Sequence, residues 1–323
     1  MHLLHWINIK NINWNSLSSN KNAIALLTAN IDKINWKVLS GNINAIDLLV
    51  LYPDNINWTL LSGNINAIEL LTANKDKINW SMICDNQNAS SLINFKINQE
   101  QNLSHEEYDK LGFSDRIDWT ALSISRYFIN ILKNNIRKID WEKLSFNKYA
   151  IELIINKINE EKLLSKITYC KLSVKDKIDW GFLSLNENAI DLLIANEVKI
   201  DWMLLSSNKN AIQLLNKNKK RINWEWLSYN KNATSILAEN TNNIYWSNLS
   251  SNKNAIDILT KNINKINWGN LSFNKNAIEL LKNNIDKIEW ECLAFNINAL
   301  IILKDNQDKI NWTELSHNPD IFI

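Results

Sequence analysis

The sequence predicts an all-α solenoid, in which short helical repeats stack as a single array over residues 1–323. Tryptophan returns at positions 14, 36, 58, 80, 119, 141, 180, 202, 224, 246, 268, 290 and 312, and ten of the twelve intervals are 22 residues. Between these tryptophans the large apolar residues recur three or four apart, which is helical spacing. The chain has only 5 Gly and 2 Pro, so the tight turns of a β-sandwich are scarce.

Each repeat follows the pattern W-x-x-L-S-x-N-x-N-A-I-x-L-L-x-x-N-x-D-K-I-N, numbered here from its Trp as position 0. Asn or Asp at −1 is predicted to cap a first helix, on which Trp and the Leu at +3 share a face. Asn at +6 is predicted to end that helix in a left-handed turn. Asn at +8 is then expected to cap a second helix and Asn at +16 to end it. The alternative is a leucine-rich-like horseshoe, with Ile-Asn-Trp as a small strand.

The recurrence of tryptophan has a physical reason. One repeat of 22 residues is too small to bury its own apolar side chains, so repeats must cover one another. The sequence predicts that the tryptophans are buried between layers as core. Serine at +4, present in eleven repeats, is predicted to hydrogen-bond to the end of the first helix.

Two intervals are 39 residues long, which is 22 plus 17. Residues 96–119 resemble residues 157–180, so the approximate insertions at 97–113 and 158–174 are duplicates. Each insertion holds a tyrosine in the same register, Tyr108 and Tyr169. Insertions in solenoids often form binding features. The other interpretation is an extra half-repeat that bends the stack.

The two ends of the array are incomplete repeats. Residues 1–11 are a partial repeat, and residues 312–323 are a truncated one. Neither end has the polar capping sequence that keeps solenoids from associating. We therefore expect exposed apolar ends and possible self-association.

The composition argues against several classes of function. The formal charge is +2, from 36 basic and 34 acidic residues, which is not the excess of a typical nucleic-acid-binding protein. The sequence shows no signal peptide and no apolar run long enough for a membrane span. Three isolated cysteines fit a reducing compartment, so the prediction is a cytoplasmic protein that is not secreted.

No constellation of catalytic residues is present. The serines at +4 have no accompanying histidine to act as base, and neither a Gly-rich phosphate loop nor a metal-binding motif occurs. We expect no enzymatic activity, no cofactor and no metal.

Charged stripes supply the candidate interaction residues. Position −3 is Lys or Arg in ten of thirteen repeats, and position +11 is acidic in six. Alternating charge is typical of a solvated face, but a basic stripe can also track phosphates. The predicted interaction surface combines the two insertion tyrosines with part of this stripe: Tyr108, Tyr169, Lys177, Lys199, Arg221, Lys265 and Lys287.

The unit WxxLSxNxNAIxLL followed by NxDKINW resembles the short tryptophan-containing repeats encoded in tandem by giant DNA viruses of the mimivirus-like group. The resemblance covers nearly the whole chain. In that family the Asn pair usually encloses a proline, whereas Lys is commonest here and only Pro319 matches. The resemblance implies a viral or virus-derived repeat protein, in the host cytoplasm or the virion, and brings no known activity.

The expected function is a non-catalytic scaffold for protein–protein interaction with unknown partners. The first alternative is a structural component of a virus particle that assembles end to end. Nucleic-acid binding through the lysine stripe is the third hypothesis, and membrane association is not expected.

Overall fold

The computed structural model describes residues 2–323 and is an all-α repeat solenoid. Within that range there is no β-strand, and the single β-bridge pairs Leu3 with Phe322. The horseshoe alternative is therefore wrong, because it requires a strand in every Ile-Asn-Trp segment.

Each repeat contributes two short helices, as predicted. The first α-helices all begin at the repeat tryptophan: Trp14–Ser19, Trp36–Leu39, Trp58–Ser62, Trp119–Ile124, Trp141–Leu144, Trp180–Leu185, Trp202–Leu205, Trp224–Tyr229, Trp246–Ser250, Trp268–Ser272, Trp290–Leu293 and Trp312–Leu315. In the repeat of Trp80 the 3-10 helix Met82–Asp85 takes this place.

The second α-helices begin after position +9 of the repeat pattern, which is Ala except for Phe128 in the repeat of Trp119. They are Ile24–Thr28, Ile46–Leu51, Ile68–Ala73, Ser90–Gln101, Ile129–Asn134, Ile151–Leu163, Ile190–Ile194, Ile212–Lys217, Thr234–Glu239, Ile256–Thr260, Ile278–Lys282 and Leu300–Lys304. A short 3-10 helix precedes each Ile-Asn-Trp segment: Ile9–Asn11, Ile31–Lys33, Pro53–Asn55, Lys75–Lys77, Phe113–Asp115, Ile136–Lys138, Val174–Asp176, Glu197–Lys199, Lys219–Arg221, Thr241–Asn243, Ile263–Lys265, Ile285–Lys287 and Gln307–Lys309. Two more 3-10 helices are Ile297–Ala299 and Pro319–Ile321.

The described chain forms two compact units. One unit comprises the residues up to Asp118 together with Trp268–Ile323, and the other comprises Trp119–Asn267. In most repeats of both units the core comprises the Ile at −2, the Leu at +3, the Ala at +9 and the second Leu of the second helix, which are buried. Burial of these aliphatic side chains between repeats is the main stabilising contribution.

The asparagines at −1 and +16 behave as predicted. The Asn13 side chain accepts a hydrogen bond from the backbone N–H of Ser16 at 3.0 Å, which caps the first helix. The Asn30 amide donates to the Leu26 carbonyl at 2.9 Å, at the end of the second helix. Both bonds satisfy backbone groups that a helix end leaves unpaired.

The asparagine at +6 does not form a left-handed turn, so that prediction is wrong. Asn20 has φ −75° and ψ 114°, and no described residue has a positive φ. In the next repeat, the buried amide of Asn42 donates to the carbonyls of Ser18 and Asn20 at 3.1 and 3.0 Å. Its oxygen accepts from the N–H of Asn44 at 3.1 Å. We call these recurring bonds between repeats the asparagine ladder.

The asparagine at +8 does not cap the second helix either. The residue before that helix is alanine, such as Ala45, which makes no side-chain cap. Instead, the Asn44 amide donates to the Lys21 carbonyl of the preceding repeat at 2.8 Å. Both asparagines of the pair therefore join repeats to one another.

The serine at +4 makes the predicted bond to the first helix and a second bond that was not predicted. Ser18 Oγ donates to the Trp14 carbonyl at 2.8 Å, and the same oxygen accepts from the Asn35 N–H of the next repeat at 3.0 Å. One buried hydroxyl thus serves as donor within a repeat and as acceptor between repeats.

The insertions lengthen the second helix and add one short helix, His105–Asp109 in the first and Lys166–Lys171 in the second. Across the second insertion, the repeats of Trp141 and Trp180 keep their usual bonds. Asp179 N–H donates to Ser145 Oγ at 3.0 Å, and the Asn186 amide donates to the Ser145 carbonyl at 3.0 Å. These hydrogen bonds therefore join the two repeats directly, and no residue of the insertion takes part in them.

The two ends of the chain cover each other, so the prediction of exposed apolar ends is wrong. Ile321 is fully buried and Phe322 is 8 % exposed. The backbones of His2 and Ile323 exchange two hydrogen bonds of 2.9 Å, and the Leu4 N–H donates to Ile321. The repeat of Trp14 stacks on the repeat of Trp312 with the same ladder bonds that join consecutive repeats.

Candidate interaction surfaces

Most of the repeat tryptophans are partly exposed, so the prediction that they are buried as core holds fully in only two repeats. Only Trp80 and Trp141, each 6 % exposed, belong to the buried core. In many repeats a basic side chain of the following repeat lies over the open face of the indole ring, as Lys33 lies 4.7 Å from the Trp14 centroid. A cation over an aromatic face is attracted by the ring's electron density.

Three of the predicted interaction residues form such cation–aromatic pairs with a tryptophan, and a fourth lies beside a tryptophan in a groove. Arg221, Lys265 and Lys287 lie over Trp202, Trp246 and Trp268 at 4.9, 4.9 and 5.0 Å. The basic stripe at −3 therefore has a structural role, since it covers the tryptophan of the preceding repeat. Lys199, in contrast, lines a groove together with Trp180.

The insertion tyrosines repeat this arrangement. Arg116 lies 6.0 Å from the Tyr108 ring centroid, and Lys177 lies 5.0 Å from that of Tyr169. Partial burial raises the pKa of the Tyr169 hydroxyl above its ordinary value, and the negative charge of Glu161 adds a smaller increase. Each insertion thus adds one further cation–aromatic pair to the chain.

The second insertion and the repeat that follows it line an open groove of about 310 Å³. It brings together two predicted residues, Tyr169 and Lys199, with Trp180 and Glu161. Burial raises the pKa of Glu161, although a hydrogen bond from the Ile178 N–H, 2.8 Å from its carboxylate, opposes the shift. The structure therefore clusters Tyr169, Lys177 and Lys199 and places the other predicted residues elsewhere along the chain.

Sequence reasoning missed a second surface, which lies in the Trp119–Asn267 unit. Large apolar side chains at +5 and +8 of neighbouring repeats line it, and we call it the aromatic strip: Ile124, Tyr127, Phe146, Tyr149, Leu185 and Tyr229. Phe146 is 48 % exposed, and Tyr149 and Tyr229 are each 50 % exposed.

Two grooves of about 330 and 310 Å³ run along the strip and share Phe146, Leu185 and Glu187. Basic residues flank them: Arg126 and Lys148 beside the first, Lys209 and Lys231 beside the second. Arg126 lies 4.6 Å from the Tyr127 ring centroid and hydrogen-bonds to its hydroxyl.

Glu187 is the only acid among the residues that line the two grooves. Its carboxylate lies 3.2 Å from Lys148 Nζ and 3.0 Å from Lys209 Nζ. Burial alone would raise the pKa of Glu187, but hydrogen bonds and charge from these two lysines outweigh burial and hold the pKa below its ordinary value. The carboxylate is therefore ionised at neutral pH and fixes both lysines beside the apolar side chains.

The strip coincides with departures from the repeat pattern. In the repeat of Trp119, the ladder positions +6 and +8 hold Ser125 and Tyr127 in place of asparagine, and Tyr149 replaces the +8 asparagine of the next repeat. An asparagine at +8 would add a bond to the preceding repeat, as Asn44 does. These substitutions give up a local stabilising feature, which is common at functional sites. These departures are visible in the sequence when the repeats are aligned on their tryptophans.

None of the described helices combines the length and the apolar character that crossing a bilayer requires. The described side chains include no cluster of three or more His, Cys, Asp or Glu arranged for a metal ion. The chain matches no protein-family model, no curated protein and no solved structure.

Proposed function

We propose that this protein is a non-catalytic scaffold that binds a partner protein through the aromatic strip. The observation that carries this proposal is the row of half-exposed aromatic side chains at Phe146, Tyr149 and Tyr229. Contiguous apolar surface flanked by polar groups is typical of protein-binding sites. Tyrosine and arginine are also the residues that most often contribute strongly to binding energy at such sites.

The surrounding frame favours binding without rearrangement. Below the strip, the Asn147 amide donates to the carbonyls of Ser123 and Ser125 at 2.9 and 3.0 Å. Asn208 and Asn230 make the same pairs of bonds in later repeats. Aromatic side chains held on such a frame lose little conformational entropy when a partner binds.

The rival hypotheses have less support. End-to-end assembly as a particle component was based on exposed apolar ends, whereas Ile321 and Phe322 are buried. For nucleic-acid binding, most of the basic residues at −3 lie over aromatic rings, as Lys33 and Lys287 lie over Trp14 and Trp268. Acidic residues such as Asp32 and Asp286 precede them in the chain. A viral or virus-derived origin, with action in the host cytoplasm, is supported by the repeat resemblance alone.

Photo-cross-linking tests the proposal. We would place p-benzoylphenylalanine at position 146 or, as a matched control, at position 273, which is also a half-exposed phenylalanine at +5. The proposal predicts a discrete cross-linked protein from position 146 and not from position 273. Equal cross-linking from both positions, or none from position 146 in the cells that normally contain the protein, would refute it.

A further inference from the structure

We propose that the aromatic strip binds an extended, acidic segment of its partner that carries large apolar side chains. This inference rests on the proposed function, because it takes the strip as a protein-binding surface. It adds the chemistry and the length of the segment that fits there.

The charge along the strip selects an acidic ligand. Four cations and one carboxylate line the two grooves, which leaves an excess of three positive charges. Glu187 is shared by Lys148 and Lys209 in the middle, while Arg126 and Lys231 lie toward opposite ends. Carboxylates near both ends of a ligand would meet these two cations, and a basic ligand would be repelled by them.

The apolar grooves select the other side chains. Phe146 and Leu185 line both grooves, with Tyr149 beside the first and Tyr229 beside the second. Each groove has room for an apolar side chain. The Glu187 carboxylate lies in both grooves, where it would repel the continuous phosphates of a nucleic acid. A peptide avoids this repulsion when the residue nearest to Glu187 is apolar.

The spacing of the repeats sets the length of the segment. Between Arg126 and Lys231 the strip crosses four steps, through the repeats of Trp119, Trp141, Trp180, Trp202 and Trp224. With about 9 Å between packed helices, the span is about 36 Å. An extended chain rises about 3.3 Å per residue, so about eleven residues cover it. A helix would require about 24 residues at 1.5 Å each.

Selection from a random library of 12-residue peptides displayed on phage tests this inference on the full-length protein. The comparison target is the double variant Phe146→Ala/Tyr229→Ala. The control target is Phe273→Ala/Phe295→Ala, which removes two phenylalanines of similar exposure at +5 outside the strip. Equal unfolding midpoints would confirm that the exposed positions tolerate the change.

We expect enrichment of peptides that combine Asp or Glu with Phe, Leu or Trp, lost on the Phe146 and Tyr229 variant and kept on the control. Enrichment of neutral or basic apolar peptides at the same residues would overturn the acidic ligand and leave the proposed function standing. A selection in which the protein and the Phe146 and Tyr229 variant enrich the same peptides would overturn both. Tighter strip-dependent binding of an oligothymidylate than of any selected peptide would also overturn both.

The charge is tested separately with the best enriched peptide, labelled for fluorescence anisotropy. Lys231→Glu is expected to weaken binding about tenfold, with a steep dependence on salt concentration. Lys21→Glu is the control, since Lys21 occupies the same +7 position in a repeat outside the strip. Equal affinity of the protein and Lys231→Glu would overturn the acidic ligand.

Discussion

The side-chain amide of Asn20 donates a hydrogen bond of 2.9 Å to the backbone carbonyl of Asn318, although 298 residues separate them along the chain. Asn42 makes the same bond to Asn20, 22 residues before it. The repeat of Trp312 therefore serves as the preceding neighbour of the repeat of Trp14, and each end of the chain covers apolar surface of the other.

This contact predicts a monomer. Light scattering should give a mass of one chain, independent of concentration, because the ends that would associate are already paired. Phe322→Asp places a charge where Phe322 is buried beside Leu3. That variant should unfold at a lower temperature and show a mass that rises with concentration. Ile323→Asp, at an exposed neighbour, is the control. A concentration-dependent mass for the unmodified chain would contradict the prediction.

The asparagine ladder predicts unequal effects of the same substitution at equivalent positions. Asn64 makes two donated bonds, to Ser40 and Asn42, and accepts one from Asn66. Asn64→Ala should lower the free energy of unfolding by about 3 kcal/mol, at about 1 kcal/mol per bond.

Asn318 is equally buried, but its amide nitrogen has no acceptor and only its oxygen is used, by the Asp320 N–H. Asn318→Ala should therefore cost only about 1 kcal/mol. Urea denaturation of both variants measures the difference. Equal losses would mean that the donated bonds contribute nothing net.

The serine at +4 is replaced in two repeats, by Cys84 in the repeat of Trp80 and by Ala294 in the repeat of Trp290. Only alanine lacks a side-chain group that can bond to the tryptophan carbonyl, as the Cys84 thiol does. Ala294→Ser should restore a donor to the Trp290 carbonyl and an acceptor for the Asn311 N–H, and raise the free energy of unfolding by about 1 kcal/mol. The converse change, Ser40→Ala, removes bonds to Trp36 and from Asn57 of 2.8 Å each. It should lower stability by at least as much. A destabilised Ala294→Ser variant would show that the added oxygen does not fit.

The cation–aromatic pairs predict that charge matters more than chain length at position −3. Lys265→Ala should uncover Trp246 and lower the free energy of unfolding by about 0.5 kcal/mol, whereas Lys265→Arg should leave it unchanged. Methionine keeps the length and loses the charge, so Lys265→Met separates the two contributions. Thermal unfolding of the three variants gives the comparison, and equal stability of all three would refute the role assigned to the cation.

Cys84 should be chemically inert in the folded protein. Burial, with a smaller contribution from Asp118 and Asp85 charges, raises its pKa from 9.0 to about 12, whereas Cys170 is exposed. Labelling with a disulfide reagent at pH 8 should leave Cys84 unmodified until urea is added.

The thiol also affects stability at high pH. The unfolded chain loses the Cys84 proton near pH 9, while the folded chain keeps it until about pH 12. The contribution of Cys84 to stability is therefore complete below pH 9 and declines between pH 9 and pH 12. Cys84→Ser should lack this part of the decline. Identical pH dependence of the two proteins would contradict the pKa shift.

The sequence predicted the helices well because their signals are local. Asn13 and Asn30 lie at helix ends that propensity and capping rules identify, and the 22-residue period implied stacking. The roles of Asn20 and Asn44 were assigned wrongly because their partners lie in other repeats. A carbonyl 22 to 24 residues away is invisible to rules that consider one helix at a time.

The interaction surfaces were predicted less well for the same reason. Tyr169 and Lys199 were identified because the insertion is conspicuous, and the structure places both in one groove. The basic stripe was noticed, but its contacts with Trp202 and Trp246 depend on the distance between repeats. Phe146 and Tyr229 occupy a variable position of the pattern, so only the assembled layers bring them into one strip.

The repeats of Trp141 and Trp180 are joined by hydrogen bonds that do not involve the second insertion, so this segment is suited to replacement by other sequences. Since Ser145 already holds both Asp179 and Asn186, residues 158–174 contribute nothing to these bonds. The closure cost of a replacement loop rises only slowly with its length. New recognition sequences of varied length can therefore be spliced between these two repeats, provided that Ile158 stays in the core and Glu161 keeps its bond from the Ile178 N–H.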